Sequence, residues 1–326
     1  MKRLLGRVLV GVAAGVAVYV GLSVWADART VGAALRGFSW GAFVAALGLA
    51  LVNYLVRFGR WQYYLRVLDV RVPAGESFLV FLSGFALTVT PGKLGEAIKA
   101  LLLRESHGVP AARTAPIVVA ERLTDLIGLL VLAAIGAFSF DVDRTFLIAV
   151  AIVIALFVIV IAVEPLAESV IAVVARVPKV GRFADKLSEF HRSTATLLRP
   201  VPLIGAVVLS AASWFCECVA FWLIVRGFPG AVLDLHAATF IYAAMTIAGA
   251  VSFLPGGLGV TEAGMLALLA RFASGAGRGM ALAATFLTRL ATLWFAVVIG
   301  LAALVLFARR THVRVDLPGA AAPSQS

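Results

Sequence analysis

The chain has 326 residues, of which 62% are hydrophobic and 14% charged, and its mean hydropathy is +1.03. Ordinary soluble domains are roughly 45–50% apolar and roughly a quarter charged, so this composition excludes a water-soluble globular protein and indicates a polytopic membrane protein. The formal charge of +11 is interpreted as membrane topology and not as nucleic-acid binding, because Lys and Arg orient membrane helices.

Six apolar stretches are long enough to span a membrane, since a spanning helix needs about 20 apolar residues. They cover residues 4–25, 38–56, 114–138, 145–163, 201–225 and 280–307. The first follows a basic start and resembles a signal peptide, but its length favours a retained helix. The sequence thus predicts one all-α transmembrane domain, 1–308, with a cytoplasmic loop helix at 165–200 and a disordered cytoplasmic tail at 309–326.

Two pairs of shorter apolar runs interrupt this pattern. Residues 77–90 and 93–104 are separated by Pro91-Gly92, and residues 237–254 and 258–271 are separated by Pro255-Gly256-Gly257. A helix of a dozen residues reaches only about 20 Å, less than the roughly 30 Å hydrocarbon core. Each pair therefore predicts a re-entrant helical hairpin, with two short tilted spans per pair as the alternative.

The distribution of basic residues favours the hairpins. If both termini are cytoplasmic and each hairpin returns to its own side, 18 Lys and Arg lie on the cytoplasmic side and 6 on the far side. This is the positive-inside bias expected of a multi-pass protein in the cytoplasmic (inner) membrane of a bacterium. The same topology opens the first hairpin to the cytoplasm and the second to the outside.

The two hairpins also align as an internal repeat. Residues 77–103 match residues 239–270, with Pro91-Gly92 over Pro255-Gly256, and each copy precedes a span that carries Arg122 or Arg289. The sequence predicts an inverted repeat, 38–138 and 201–307, because the copies enter from opposite sides. Secondary transporters with such repeats bind substrate at mid-membrane, where broken helices meet.

Charged residues within apolar segments cost about 2.5–3.5 kcal/mol each on insertion scales, so they predict a site. The embedded set is Lys93, Glu96, Lys99, Glu121, Arg122, Asp125, Glu217, Glu262 and Arg289. At the hairpin tips, the helix-breaking residues would aim two positive helix N-termini at a central anion. These tip residues are Pro91, Gly92, Gly95, Pro255, Gly256, Gly257 and Gly259.

Arginine suits phosphate, because its planar fork stays charged. Arg122 could instead pair with Asp125 at i+3, whereas Arg289 has no acid within four residues and needs a partner on another helix or a ligand. Glu96 and Glu262 could simply cap the helices they begin. The candidate substrate-binding residues are therefore Lys93, Glu96, Arg122, Asp125, Glu262 and Arg289, with Glu121 and Glu217 as candidates for ion or proton coupling.

Arg57 and Arg60 lie near Trp61, Tyr63 and Tyr64 at the end of the second span. We interpret this group as an interfacial belt, with contact between lipid phosphate and Arg57 or Arg60 as a second hypothesis.

No catalytic motif, metal-ligand spacing or cofactor motif occurs. The four histidines are scattered, and Cys216 and Cys218 are two apart on a predicted helix, a spacing that suits neither a disulfide nor a metal pair. The sequence therefore predicts a protein that is not an enzyme and uses no metal or cofactor.

Four segments together resemble a known family, the lysylphosphatidylglycerol synthase transmembrane region, also called the flippase-like family. They are "RFGRWQYYLRVLDV", "TPGKLGEAIKALLL", "ERLTDLIGLL" and "LPGGLGVTEAGMLALL", and the resemblance extends over roughly residues 5–308. In bifunctional members, a cytosolic domain makes the aminoacylated lipid and the membrane region moves it. We expect no such synthase domain here, so the resemblance implies lipid translocation and not lysyl transfer.

By this resemblance, the signature positions are Pro91, Gly92, Gly95 and Glu96 in the first hairpin and Pro255, Gly256, Gly259 and Glu262 in the second. Lys93 opposite Gly257 makes the copies asymmetric. The lipid stays open, since relatives are associated with aminoacyl-phospholipids, hopanoids or polyprenyl-linked sugars.

The leading hypothesis is a flippase-like transporter of an anionic or aminoacylated phospholipid, or of a polyprenyl-phosphate-linked lipid. The alternatives are an ion-coupled transporter of a small soluble anion or amino acid, and a lipid-presenting partner of a glycosyltransferase. Expected partners are membrane phospholipids and a lipid-synthesising enzyme or glycosyltransferase, without nucleic acid. Small-residue runs such as "GVAAGVAVYVG" could pack helices within one chain or in a homo-oligomer.

Overall fold

The computed structural model describes residues 28–90, 96–138, 140, 145, 147–152, 184–275 and 277–311, which form helices joined by short turns and loops. Within these ranges no β-strand occurs, and the one β contact is an isolated bridge between Val232 and Ser274. The predicted all-α class is confirmed for this part of the chain. The predicted span 4–25, most of the span 145–163 and the tail beyond residue 311 lie outside the described residues.

The first half of the described chain contains α1 (Ala28–Leu35), α2 (Trp40–Val67), α3 (Ala74–Ser83) with a 3-10 extension (Gly84–Leu87), α4 (Ile98–His107), α5 (Ala111–Thr114) and α6 (Pro116–Ala137). The second half contains α7 (Ala184–Leu197), α8 (Pro200–Arg226), α9 (Leu235–Val251), a 3-10 turn (Pro255–Gly257), α10 (Val260–Phe272), α11 (Arg278–Arg289), a π-helical segment (Leu290–Trp294) and α12 (Phe295–Thr311).

Among the described residues, three helical segments are long and apolar enough to cross a membrane. They are α2 with 28 residues, α8 with 27, and the continuous run from Arg278 to Thr311 with 34. Large apolar side chains on them face outward, including Leu55 (59% exposed), Val208 (62%) and Val298 (63%). Such surfaces are stable against lipid and not against water. The chain is therefore an integral multi-pass membrane protein.

The second predicted hairpin is a pair of helices that begins and ends at one place. Val232, before α9, and Ser274, after α10, exchange two backbone hydrogen bonds of 3.0 Å. Helix α9 has 17 residues and α10 has 13, so at 1.5 Å per residue both are shorter than a full span. At the tip, Gly256 has φ +61°, a conformation that a glycine adopts without steric cost.

The first predicted hairpin is described on both sides of its break. Helix α3 and its 3-10 extension form the incoming arm, and α4 forms the outgoing arm. The two arms pack against each other. Residues 91–95, which include Pro91, Gly92, Lys93 and Gly95, lie outside the described residues.

Each hairpin packs against a long helix from the other half of the chain. Helix α6 packs on α9 through Gly136, where an added Cβ would lie 2.6 Å from Phe240 N. Helix α12 packs on α3 through Gly300, where an added Cβ would lie 2.2 Å from Ala86 N. The remaining long helices of the two halves, α2 and α8, pack along each other. The halves are thus interlocked and not merely adjacent.

Helix α7 falls inside the predicted loop helix 165–200, of which residues 165–183 lie outside the described ranges. It packs against α5 and α6. Its buried face carries Ser193, Thr194 and Leu197. Of the predicted loop helix, the described part is therefore held against the bundle and is not solvated on all sides.

Candidate functional site

A cavity of about 300 Å³ lies where the two halves of the chain meet. Its wall combines charged residues of four helices, α2, α6, α8 and α11, with the tip of the second hairpin. The residues that matter for its chemistry are Arg57, Arg122, Asp125, Glu217, Arg289 and the tip glycines Gly256 and Gly257. Residues that are 160 positions or more apart in sequence, such as Arg57 and Glu217, thus share one polar chamber inside an apolar bundle.

The end of the first incoming arm meets the tip of the second hairpin at this cavity. Thr88 and Thr90, at the end of the first incoming arm, line it together with Gly256. A Cβ at Gly256 would lie 3.7 Å from a side-chain atom of Val89. Val89 also shares a small apolar cluster with Leu258, just after the second tip. The incoming arm of the first hairpin therefore reaches the second tip, and the predicted position of the first tip itself lies outside the described residues.

Arg122 is held by two carboxylates. Its Nη2 lies 3.0 Å from Asp125 Oδ2, one turn along α6, and 3.2 Å from Glu96 Oε2 at the start of the first outgoing arm. The predicted local pair with Asp125 is confirmed. Asp125 Oδ1 also accepts from Arg60 Nη1 at 2.7 Å and from Ser210 Oγ at 2.9 Å, which ties α6 to α2 and α8.

Arg289 finds its partner on another helix, as its sequence surroundings required. Its Nε lies 2.6 Å from Glu262 Oε1, and its Nη2 donates to the carbonyl oxygen of Gly256 at 2.6 Å. The other carboxylate oxygen of Glu262 accepts from the backbone N–H of Gly259 at 2.6 Å, so the predicted helix cap is confirmed. Arg289 is not an unpaired arginine.

Lys99 and Glu121 form a buried pair behind the cavity wall. Lys99 Nζ lies 2.5 Å from Glu121 Oε2 and 3.9 Å from Glu96 Oε2, and it lies over the ring of Trp61 at 4.8 Å from the centroid. Neither Lys99 nor Glu121 lines the cavity. Of the two candidate coupling residues, only Glu217 does, and it accepts a hydrogen bond from the hydroxyl of Tyr242.

The interpretation of Arg57, Arg60, Trp61 and Tyr64 as an interfacial belt is wrong. Arg60, Trp61 and Tyr64 are fully buried and Arg57 is 7% exposed, because α2 continues through the bundle to Val67 instead of ending near residue 56. The spacing of the polar residues along α2, unlike their composition, indicates a buried helical face. Asn53, Arg57, Arg60 and Tyr64 follow each other by four, three and four residues, which places them on one helical face.

No group of three or more potential metal ligands occurs among the residues that the structure describes. Cys216 and Cys218 are both free thiols. The site as described offers arginines, carboxylates, hydroxyls and backbone groups at a hairpin tip. These groups suit an anionic, oxygen-rich ligand.

Comparison with known proteins agrees with the architecture. A family profile described as the lysylphosphatidylglycerol synthase TM region matches residues 12–300. A UPF0104 membrane protein from Methanothermobacter thermautotrophicus is 28% identical over 273 residues, covering 76% of this chain and 80% of the relative. Another from Pyrococcus horikoshii is 26% identical over 288 residues, covering 78% and 84%. The chain is therefore a member of the lysylphosphatidylglycerol synthase transmembrane region family.

Proposed function

We propose that this protein moves a phosphate-bearing lipid across the membrane without catalysing a covalent reaction. The headgroup occupies the central cavity, and the hydrocarbon chains stay in the surrounding lipid. The observation that carries the proposal is the cavity wall, which collects Arg57, Arg122, Arg289 and the tip of the second hairpin in one chamber. An anionic headgroup gains from arginine and from the N-terminal end of a half-helix, both of which act strongly away from water.

Two matching ion pairs support an inverted repeat as the basis of this movement. In each half, a carboxylate at the start of the outgoing hairpin arm pairs with an arginine of the following span: Glu96 with Arg122 at 3.2 Å, and Glu262 with Arg289 at 2.6 Å. Each half also inserts its long helix against the hairpin of the other. Rocking of one half against the other would expose the cavity to each side in turn.

The surface near the second tip favours a lipid over a soluble substrate. Phe253 and Leu254 line the cavity and are 73% and 43% exposed. Phe253 has φ +54°, which a bulky residue rarely adopts, and such outliers cluster at functional sites. Apolar residues at the mouth of a polar chamber suit a ligand with a charged head and a greasy tail.

The complete topology belongs to the same proposal. Six spans and two re-entrant hairpins, with both termini in the cytoplasm, give a bias of 16 basic residues against 6 once the buried Arg57 and Arg60 are left out of the 18. The protein acts in the cytoplasmic membrane, and its partners are membrane phospholipids and the enzyme that makes or uses the lipid.

Reconstitution into liposomes tests the proposal. Vesicles carry a fluorescent phosphatidylglycerol, and an external reductant bleaches only the outer leaflet. With wild-type protein, the protected inner-leaflet signal is expected to be lost as lipid moves outward. Arg289→Ala should abolish the movement, and Arg278→Ala should not, because Arg278 is an exposed arginine at the start of the same helix.

A second variant separates loss of site from loss of fold. Arg289→Ala with Glu262→Gln removes both charges of the pair, so no buried carboxylate is left alone. This double variant should fold, as judged by size-exclusion chromatography, and still fail to move lipid. Wild-type protein that moves no anionic lipid but carries soluble phosphate or amino acids would overturn the proposal.

A further inference from the structure

Arg57 differs from every other buried cation of the bundle that the structure describes. Arg60, Lys99, Arg122 and Arg289 each have a carboxylate oxygen within 4.0 Å, at 2.7, 2.5, 3.0 and 2.6 Å respectively. Arg57 has no carboxylate oxygen within 4.0 Å among the described residues. It is nevertheless 7% exposed and lines the central cavity.

Two aromatic rings hold this guanidinium in place. Its Cζ lies 5.0 Å from the centroid of Phe85 and 6.0 Å from the centroid of Trp214. Its Nε has no hydrogen-bond partner among the described residues. Cation–π contacts offset part of the cost of burying a charge, but they leave the N–H donors of the planar fork unused.

The surroundings of Arg57 repeat this pattern of unused polar groups. The hydroxyl of Tyr54, one turn earlier on α2, is buried without a hydrogen-bond partner in the described part of the chain. The amide oxygen of Asn53 is buried without one as well, although its nitrogen donates to Ser213 O at 2.7 Å. Buried polar groups are normally satisfied, and of these three residues Arg57 is the one that lines the cavity, where a ligand could satisfy it.

We propose that Arg57 is the principal protein ligand of a phosphate mono- or diester in this cavity. The inference rests on the proposed function and narrows it. Arg122 and Arg289 are already neutralised by carboxylates, and they chiefly hold the two hairpins in place. Arg57 has a free fork, so a phosphate oxygen pair gains most there. Arg60, the other arginine of this helical face, is excluded as the phosphate ligand because it is paired with Asp125.

Native mass spectrometry of purified protein tests the assignment. The probes are phosphatidylglycerol, diacylglycerol with the same chains, and glycerol 3-phosphate. The variants are Arg57→Gln and its matched control Arg66→Gln, an exposed arginine of the same helix whose Nε donates to Gln62 O. Arg57→Gln should bind phosphatidylglycerol roughly tenfold or more weakly, the scale of one charge-assisted contact. Arg66→Gln and the wild type should bind it equally.

The melting temperature of the same samples without added lipid distinguishes a ligand-binding role from a structural one. A purely structural role predicts that Arg57→Gln lowers it. Arg57→Gln removes a buried charge that has no carboxylate oxygen within 4.0 Å among the described residues, so its melting temperature should not fall clearly below that of the wild type. A clear fall in melting temperature, with lipid binding retained, would assign Arg57 to folding and overturn the inference.

The lipid arms separate this inference from the proposed function. Equal retention of phosphatidylglycerol by wild type and Arg57→Gln overturns the role of Arg57 and leaves lipid transport standing. Binding of glycerol 3-phosphate that depends on Arg57, without binding of phosphatidylglycerol, keeps Arg57 as a phosphate ligand and overturns the lipid substrate. Binding of neither phosphate compound by the wild type overturns both.

Discussion

Arg289 holds Glu262 through an ion pair of 2.6 Å, and the same guanidinium donates to the carbonyl oxygen of Gly256 at 2.6 Å. One side chain of the last span thus grips the second hairpin at its turn and at the first turn of its outgoing helix. Because Glu262 also caps that helix at Gly259 N, the tip, the cap and the span form one connected unit.

This unit predicts strong coupling between the two charges. Arg289→Met and Glu262→Gln should each destabilise the protein by about 3–5 kcal/mol, because each leaves the other group buried without its counter-charge. The double variant should cost clearly less than the sum of the two single variants. Denaturant unfolding of all four proteins in the same detergent measures the difference. Additive effects would mean that the pair is not formed in solution.

The pair between Lys99 and Glu121 makes a similar prediction for the first half. Lys99→Met should lower the melting temperature strongly, because it leaves Glu121 buried without its cation. Lys186→Met is the matched control, since Lys186 lies exposed on α7. Adding Glu121→Gln should restore part of the loss. If Lys99→Met is no worse than its control, the buried pair of Lys99 with Glu121 is not formed in solution.

The close approach of α12 to α3 can be tested by replacing one glycine with alanine, which adds a single methyl group. Gly300→Ala should destabilise by about 1–3 kcal/mol, because the new Cβ would lie 2.2 Å from Ala86 N and the helices must separate. Gly48→Ala, on the exposed side of α2 with no atom within 4 Å, should instead stabilise by up to about 1 kcal/mol. Thermal unfolding of the two variants should therefore shift in opposite directions. A shift in the same direction would contradict the packing.

If the cavity opens to lipid, a label at its mouth should be exposed to lipid and not to water. A spin label on Phe253→Cys, in a background with Cys216 and Cys218 replaced by alanine, should collide often with oxygen and rarely with a water-soluble nickel chelate. Val208→Cys on the outer face of α8 provides the reference for lipid contact. Preferential collision with the nickel chelate would show that the mouth opens to water, and the lipid route would lose its main structural support.

The sequence predicted the breaks in the helices and the need for a remote partner at Arg289, because both follow from local chemistry. Adjacent Pro and Gly residues break a helix, and an arginine in an apolar helix requires a counter-charge. The local pair of Arg122 with Asp125 was predictable for the same reason. The i, i+3 spacing of Arg122 and Asp125 along one helix determines this pair.

Which residues meet across helices was not predictable from a single sequence. Arg60 and Asp125 lie 2.7 Å apart although they are 65 positions apart in sequence, and they meet because α2 and α6 both pack against α8. An aromatic and basic helix end resembles an interfacial belt in composition. Composition alone does not distinguish a helix that ends at the headgroups from one that continues inside the bundle.

The π-helical segment that follows Arg289 determines which faces of the last span contact the two hairpins. A π turn takes up about one extra residue, which rotates the following helix by roughly 100° relative to an unbroken α-helix. Gly300 comes eleven residues after Arg289, about three α-turns, so an unbroken helix would direct both residues the same way. Because of the extra residue, Arg289 and Gly300 point in different directions from the same continuous span. Arg289 can therefore contact the second hairpin while Gly300 contacts the first. Removing one residue between 290 and 294 would leave ten α-helical steps, which end about 80° short of three full turns, so the two faces would keep their phase and both docking surfaces should survive the loss of the π turn.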